Sequence, residues 1–78
     1  MQARRGELEQ SVASFRQALD LRPQYLEARL NLAVVLERLG KNGEAVNEYQ
    51  RILNEAPQYP QADTLRKKIM FLERGYAK

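Results

Sequence analysis

One tripeptide occurs twice in this 78-residue chain, and the distance between its copies is the strongest constraint on the fold. The letters PQY at 23–25 recur at 57–59, 34 positions further on. A shift by the same distance aligns further turn and apolar residues, namely Gly6 with Gly40, Val12 with Val46, Phe15 with Tyr49 and Leu19 with Leu53. The chain therefore repeats a unit in which a glycine precedes an amphipathic segment and a proline follows it.

The apolar spacing within the first half of the chain predicts two α-helices. Leu8, Val12, Phe15 and Leu19 are separated by 4, 3 and 4 positions, which places them on one helical face. This pattern predicts a helix over 8–21 that Pro23 ends. A second helix is predicted over 26–39. Its apolar residues surround most of the helix, which indicates burial on two sides: Leu26, Leu30, Leu32, Ala33, Val34, Val35, Leu36 and Leu39.

The second half of the chain predicts two more helices. Gly40 suits a left-handed cap, and Asn42 is the predicted N-cap of the third helix. The predicted buried residues of that helix are Ala45, Val46, Tyr49, Ile52 and Leu53. Pro60 is predicted in the first turn of the fourth helix, with Asp63 near the positive end of the helix dipole. Its apolar stripe is Ala62, Leu65, Ile69, Leu72 and Tyr76, and Gly75 is its predicted end. Short joints between the helices favour antiparallel neighbours in an all-α fold.

The composition argues against catalysis and against a bound metal or cofactor. The chain has no Cys and no His, so it lacks thiolate ligands, the commonest metal ligand and the commonest general base. Gly40 and Gly43 are not followed by the Lys-Ser/Thr pair of a phosphate-binding loop. The carboxylates, including Glu37, Glu44 and Glu48, are predicted on solvated helix faces. We therefore expect no catalytic residues, no metal site and no cofactor.

The basic charge of the chain is concentrated at its C-terminal end. Residues 1–59 carry equal numbers of basic and acidic side chains, and the net charge of +3 arises in 60–78. The run Arg66-Lys67-Lys68 could contact phosphates, but it lacks interleaved aromatic residues and is predicted to be a solvated helix face. Neither nucleic acid nor a membrane is therefore the expected partner. The N-terminus is too polar for a signal peptide. No feature assigns a compartment, and the cytoplasm is the default expectation.

With its period of 34 and its two helices joined by a turn, the chain resembles the tetratricopeptide repeat over residues 6–59. The family's first-helix pattern appears as Arg29, Leu32, Ala33 and Leu36. Its second-helix pattern appears as Ala45, Tyr49, Ile52 and Pro57, and in the preceding unit as Ser11, Phe15, Ala18 and Pro23. The resemblance implies a fragment of an α-solenoid, in which antiparallel helix-turn-helix units stack.

The chain departs from the repeat pattern in three places. One is Ile52, which replaces a small residue and is expected to widen that helix crossing. Arg29 replaces an aromatic residue and is expected to loosen contact with the preceding helix. In the last helix a shift of 34 puts charged Arg66 and Lys67 at buried positions, whereas a shift of 33 aligns its leucines correctly. We therefore predict a single domain in which 1–25 is a partial repeat, 26–59 is a complete repeat and 60–78 is a capping helix. Either the chain is a piece of a longer protein, or another chain covers its open end.

The resemblance implies a non-catalytic protein–protein interaction module. Members of the family bind a peptide or helix of a partner protein in a groove lined by the first helix of each repeat. The corresponding residues here are Tyr25, Glu27, Leu30, Asn31, Val34, Arg38 and Tyr59, with Arg66 at the edge. The Asn31 amide can both donate to and accept from peptide main chain, although a solvated surface residue is the alternative. The alternative function is homo-oligomerisation through the open end left by the partial repeat.

Overall fold

Residues 4–74, the part of the chain described by this computed structural model, form four α-helices in sequence. Helix α1 spans Arg5–Leu21, α2 spans Leu26–Arg38, α3 spans Asn42–Glu55 and α4 spans Ala62–Glu73. Each helix packs against the next one along the chain, so that α2 lies between α1 and α3. This is the all-α architecture that the sequence predicts.

Gly40 ends α2 in the way that its position predicts. It has a φ of 80°, in the left-handed region that a Cβ disfavours. The Gly40 N–H donates to Glu37 O at 2.9 Å, and the Lys41 N–H donates to Leu36 O at 2.9 Å. These two bonds satisfy carbonyls at the end of the helix in the pattern of a Schellman motif. The joint between α2 and α3 is therefore set by local backbone geometry.

The predicted starts of α3 and α4 are wrong by one or two residues. Lys41 is the N-cap of α3, because the Ala45 N–H already donates to Lys41 O, and Asn42 is the first helical residue. Pro60 lies in a turn before α4. The first helical hydrogen bond of α4 runs from the Leu65 N–H to Gln61 O, which makes Gln61 the N-cap. The predicted end of α4 at Gly75 and the stripe residue Tyr76 fall outside the described residues.

The core runs through α2, α3 and α4. Its largest fully buried side chains are Tyr49, Leu32, Leu36, Ile52 and Leu65. The predicted α4 stripe is confirmed for Ala62, Leu65, Ile69 and Leu72. Val46, also predicted to be buried, is only partly so.

In α1 only Leu19 is buried, and the rest of the predicted stripe, Leu8, Val12 and Phe15, is partly buried. Within the described chain α1 packs on α2, whereas α2 and α3 each pack on two helices.

Arg29 joins α2 to both of its neighbours. Its side chain lies inside the fold, with 4% of the residue exposed. Nη1 donates to Glu48 Oε1 of α3 at 2.8 Å, and Nη2 donates to Pro23 O in the joint after α1 at 2.8 Å. Arg29 is thus bonded to the joint after α1, and the expected looser contact with α1 itself stays a prediction. A long guanidinium reaches two partners at once, which a buried aromatic ring cannot do.

Among residues 4–74, no helix has both the length and the apolar character that crossing a membrane requires.

Candidate partner-binding surface

Four side chains form a row along the face of α2 that the neighbouring helices leave open. They are Glu27, Asn31, Val34 and Arg38, which we call the α2 row, and their spacing of 4, 3 and 4 keeps them on one face. Val34 is partly buried and the other three are exposed. On the opposite face of the helix, Leu32 and Leu36 are completely buried. The structure thus brings together the α2 residues that the sequence nominates.

Each of the four positions of the α2 row along the helix axis carries a different chemical group. Glu27 lies in the first turn of α2 and Arg38 in the last, an arrangement of charges that the helix dipole favours. Between them, the Asn31 amide can donate and accept hydrogen bonds, and Val34 supplies apolar surface. Leu30 is partly buried beside the row and packs against the core. A ligand lying along this face would meet an acid, an amide, an apolar group and a base in order.

Tyr25 and Tyr59 occupy equivalent joints before α2 and α4. The Tyr25 N–H donates to Arg22 O at 3.0 Å, and the Tyr59 N–H donates to Ala56 O at 2.9 Å. Tyr25 is 44% exposed, whereas Tyr59 is partly buried and packs against the core. Of the two tyrosines predicted at the edge of the groove, Tyr25 is therefore the more accessible to a ligand.

The buried residues of α4 place Lys67 and Phe71 at positions that correspond to the α2 row. Leu65, Ile69 and Leu72 are buried, which supports the 33-residue alignment of α4 with α2. Under that alignment Lys67 corresponds to Val34 and Phe71 to Arg38, while Arg66 corresponds to the buried Ala33.

Phe71 is 53% exposed, and it lines a shallow cavity of about 170 Å³ with Lys67, Met70 and Arg74. Arg66, which the sequence predicts at the edge of the groove, is exposed and bonds Asp63 one turn earlier at 3.1 Å. Sequence reasoning omitted Lys67 and Phe71 from the candidate surface, although the 33-residue alignment carried the signal.

Glu37 connects α2 to both α3 and α4. Its Oε1 accepts a 2.5 Å hydrogen bond from the Tyr49 hydroxyl and a 3.0 Å bond from Lys68 Nζ. Lys68 Nζ also lies 5.8 Å from the centre of the Tyr49 ring, within range of a cation–π interaction. The prediction that Glu37 is simply solvated is therefore wrong, whereas Lys68 keeps part of its predicted exposure while it pairs with Glu37. This cluster holds the two helices that carry the candidate surface beside each other.

Tyr49 remains a hydrogen-bond donor over a wide pH range. Burial raises the pKa of Tyr49 well above its ordinary value of 10.0, and the hydrogen bond and negative charge of Glu37 raise it further. A protonated hydroxyl facing a carboxylate makes a charge-assisted bond, which is stronger than a neutral one.

The carboxylates of α3 bind different cations. Glu48 pairs with buried Arg29, whereas Glu44 accepts a 3.1 Å bond from Arg16 of α1 at the surface. The prediction that Glu48 is solvated is therefore wrong. Within residues 4–74, no group of three or more acidic residues gathers in a way that could hold a metal ion.

A second cavity, of about 420 Å³, lies against the face of α2 opposite the α2 row. Its lining combines basic and acidic side chains from α1, α2 and α3 with apolar ones, namely Arg16, Leu19, Asp20, Pro23, Arg29, Leu32, Glu48 and Arg51. Two of its charged residues, Arg29 and Glu48, are already paired with each other. It provides an internal comparison for experiments on the α2 row.

A family model, described as the tetratricopeptide repeat, matches residues 3–69. The chain belongs to the tetratricopeptide repeat family. The match includes the entire α2 row and most of α4. No curated protein and no solved structure matches the chain significantly. Tetratricopeptide repeats generally mediate protein–protein interactions, and the family is typically non-catalytic.

Proposed function

We propose that this tetratricopeptide repeat chain is a non-catalytic scaffold or adaptor module that binds a peptide or helix of a partner protein along the α2 row. The observation that carries the proposal is the contrast between the two faces of α2. One face is completely buried at Leu32 and Leu36, while the other presents regularly spaced and chemically varied side chains. Lys67 and Phe71 of α4 form the second wall of the proposed site.

The proposed site is held in place before a ligand arrives. Glu37 fixes α4 beside α2 through Lys68, and Arg29 fixes α2 against α3. Prior positioning of this kind improves affinity because less freedom is lost on binding.

The charges of the site indicate the chemistry of the partner. Arg38 ends the α2 row, Lys67 lies on the exposed side of α4, and Arg74 follows directly after α4. These cations favour carboxylates on the ligand, and Phe71 favours an apolar side chain beside them. We infer that the ligand is a segment with acidic and apolar residues, whose main chain bonds the Asn31 amide.

The proposal includes the division of the chain into repeats. Residues 26–59 form the complete repeat, 1–25 supply the second helix of a partial repeat, and 60–78 act as a cap. The cap role is supported by Arg66, whose long charged side chain stands where Ala33 allows α3 to approach α2 closely.

The test is selection of ligands from a displayed library of random peptides with the 78-residue chain. Peptides that bind should weaken about tenfold or more with Asn31→Ala and with Arg38→Ala, a loss expected for an anchoring contact. Arg51→Ala is the matched control, because Arg51 lines the cavity on the other side of α2. Binding lost with Arg51→Ala but retained with Asn31→Ala would place the ligand elsewhere and contradict the proposal.

A second candidate function is self-assembly through α1. The observation that favours it is a difference between equivalent positions. Tyr49 of α3 is completely buried, whereas Phe15, its counterpart 34 residues earlier in α1, is only partly buried. Mass measurement of the chain in solution tests this candidate: a concentration-dependent increase supports it, and a constant monomer mass contradicts it.

A further inference from the structure

One face of α1 has the residues of a helix-packing surface but no helix on it within the described chain. In α3, the face packed on α2 includes Ala45, Tyr49 and Ile52, which are all completely buried. Their counterparts 34 residues earlier in α1 are only partly buried: Ser11, Phe15 and Ala18. We call Glu7, Ser11, Ser14, Phe15, Ala18 and Leu21 the α1 face. Its incomplete burial identifies where a further helix can pack.

The α1 face is suited to contact with another helix. Leu21 is 84% exposed, and Phe15, which packs against the core on one side, is exposed on the other. Ser11 Oγ donates to Glu7 O at 3.1 Å, so its hydroxyl is satisfied within α1 and can be covered without loss of a hydrogen bond. The face therefore exposes apolar surface whose burial would be favourable.

The other end of the chain does not provide a fitting surface for the α1 face. On α4, Arg66 occupies the position at which α2 has the small, buried Ala33. The Arg66 side chain bonds Asp63 at the surface and would obstruct a closely packed helix. Head-to-tail stacking of copies is therefore disfavoured. Contact between two α1 faces avoids this obstruction and closes with two-fold symmetry.

We propose that two copies of the chain pair through their α1 faces, with the two α1 helices antiparallel about an axis that passes between Ser14 and Phe15. In this register the two Phe15 rings meet near the axis, and Ser11 lies level with Ala18 of the other copy. The pairing deepens the second candidate function and rests on it. It does not involve the α2 row.

Charge favours the antiparallel arrangement over the parallel one. Glu7 lies near the N-terminal end of the α1 face, and Arg22, directly after α1, lies at the other end. An antiparallel pair brings Glu7 of each copy level with Arg22 of the other. A parallel pair would instead bring Glu7 beside Glu7 and Arg22 beside Arg22. Opposite charges across an interface fix its register, whereas like charges disfavour it.

The test is sedimentation equilibrium of the 78-residue chain from about ten micromolar to about one millimolar, since an interface of one helix per copy is small and its affinity modest. The mass should rise from the monomer value of 9.1 kDa towards twice that value.

Charge-reversal variants test the register of the pair. Arg22→Glu should weaken pairing about tenfold, and adding Glu7→Lys to it should restore pairing. Glu7→Gln controls for the Glu7 carboxylate bond to the Arg4 N–H, because glutamine can accept the same bond. Arg51→Glu, a charge reversal on α3, should leave the mass unchanged.

Because the chain has no cysteine, introduced cysteines report the register directly. Ser14→Cys should cross-link two copies under oxidising conditions, because the two positions 14 face each other across the axis. Ser11→Cys should not, because its two copies would be about 10 Å apart along the helices, beyond the reach of a disulfide. Equal cross-linking of both variants would indicate parallel helices and overturn the proposal.

The remaining outcomes separate this inference from the proposed functions. A mass of 9.1 kDa at every concentration overturns both the pairing and the second candidate function. A dimer that is indifferent to Arg22→Glu overturns the antiparallel register and leaves self-assembly standing. Neither result bears on peptide binding at the α2 row, which Asn31→Ala tests separately.

Discussion

Arg29 of α2 and Glu48 of α3 form an ion pair with a 2.8 Å contact inside the fold. Arg29 Nη2 donates a hydrogen bond to Pro23 O, so this one side chain contacts both α3 and the joint after α1. Arg29 Nε is buried without a hydrogen-bond partner among the described residues, so this polar site is not completely satisfied. The chain thus uses a paired charge where the family usually has an aromatic ring.

Replacing Arg29 alone should destabilise the fold strongly. Arg29→Met leaves the Glu48 carboxylate without its cation in a largely buried site, and we expect a loss of about 3 kcal/mol in unfolding free energy. The double variant Arg29→Met with Glu48→Met removes both charges and should recover much of this loss. Urea denaturation measures both values. A double variant that is no more stable than Arg29→Met would show that the ion pair does not account for the effect.

The variant Tyr49→Phe measures the contribution of the Tyr49 hydroxyl to stability independently of that of the ring. The ring stays in the core, but Glu37 loses a hydrogen-bond donor, and we expect a loss of about 1 to 2 kcal/mol in unfolding free energy at neutral pH. Thermal or urea unfolding measures the change. An unchanged stability would show that the 2.5 Å contact with Glu37 contributes nothing net.

The effect of Tyr49→Phe should also depend on alkaline pH. Burial, aided by Glu37, raises the pKa of folded Tyr49 above its ordinary value of 10.0. Above about pH 10 the unfolded tyrosine loses its proton while the folded one keeps it, so the wild type loses up to about 1.4 kcal/mol per pH unit from this group. Its advantage over Tyr49→Phe should therefore shrink above that pH. An advantage that is constant or grows would contradict the proposed environment of Tyr49.

Two glycines near the joint between α2 and α3 form a matched pair. Apart from the adjacent backbone, no atom lies within 4 Å of a Cβ built at either one, but Gly40 has a φ of +80°. Gly40→Ala should therefore destabilise by about 1 kcal/mol through backbone strain alone. Gly43, inside the first turn of α3, should tolerate alanine and gain about 0.5 kcal/mol. Effects of the same sign in calorimetry would contradict this difference in backbone geometry.

Variants of Lys68 and Arg66 test whether Lys68 acts by holding α4 next to α2 or only through its positive charge. Lys68→Gln removes the link from α4 to Glu37, and we expect selected peptides to bind several-fold more weakly although Lys68 is not in the proposed site. Arg66→Gln removes equal charge but breaks only a bond within α4, so it should change affinity much less. Because these contacts are partly exposed, both variants should remain folded, with losses below about 1 kcal/mol. If the two variants weakened binding equally, Lys68 would contribute only its positive charge and not the link to Glu37.

Local signals in the sequence were sufficient to predict the helices and their order. The apolar spacing of α3 and α4, the left-handed Gly40 and the helix-ending prolines Pro23 and Pro57 act over a few residues, and the structure confirms them. Helix starts were less predictable. A good capping residue such as Asn42 does not decide which carbonyl begins the ladder, and in α3 that carbonyl belongs to Lys41.

Partners that are distant in sequence could not be predicted. Glu37 and Glu48 are the same residue type as the exposed Glu44, yet one meets Tyr49 and Lys68 and the other meets Arg29. Their surroundings depend on how three helices pack. For the candidate surface, the family resemblance nominated the α2 row, whereas Lys67 and Phe71 required the register that the buried face of α4 reveals.

The most direct test of the central claim is to follow the backbone amide shifts of the isotope-labelled chain by NMR while a peptide selected from the library is added. Ligand binding along the α2 row should shift Glu27, Asn31, Val34 and Arg38 most strongly, together with Lys67 of α4. If the largest shifts instead cluster around the cavity between α1 and α3, at Arg16, Asp20 and Arg51, the α2 row is not the binding surface.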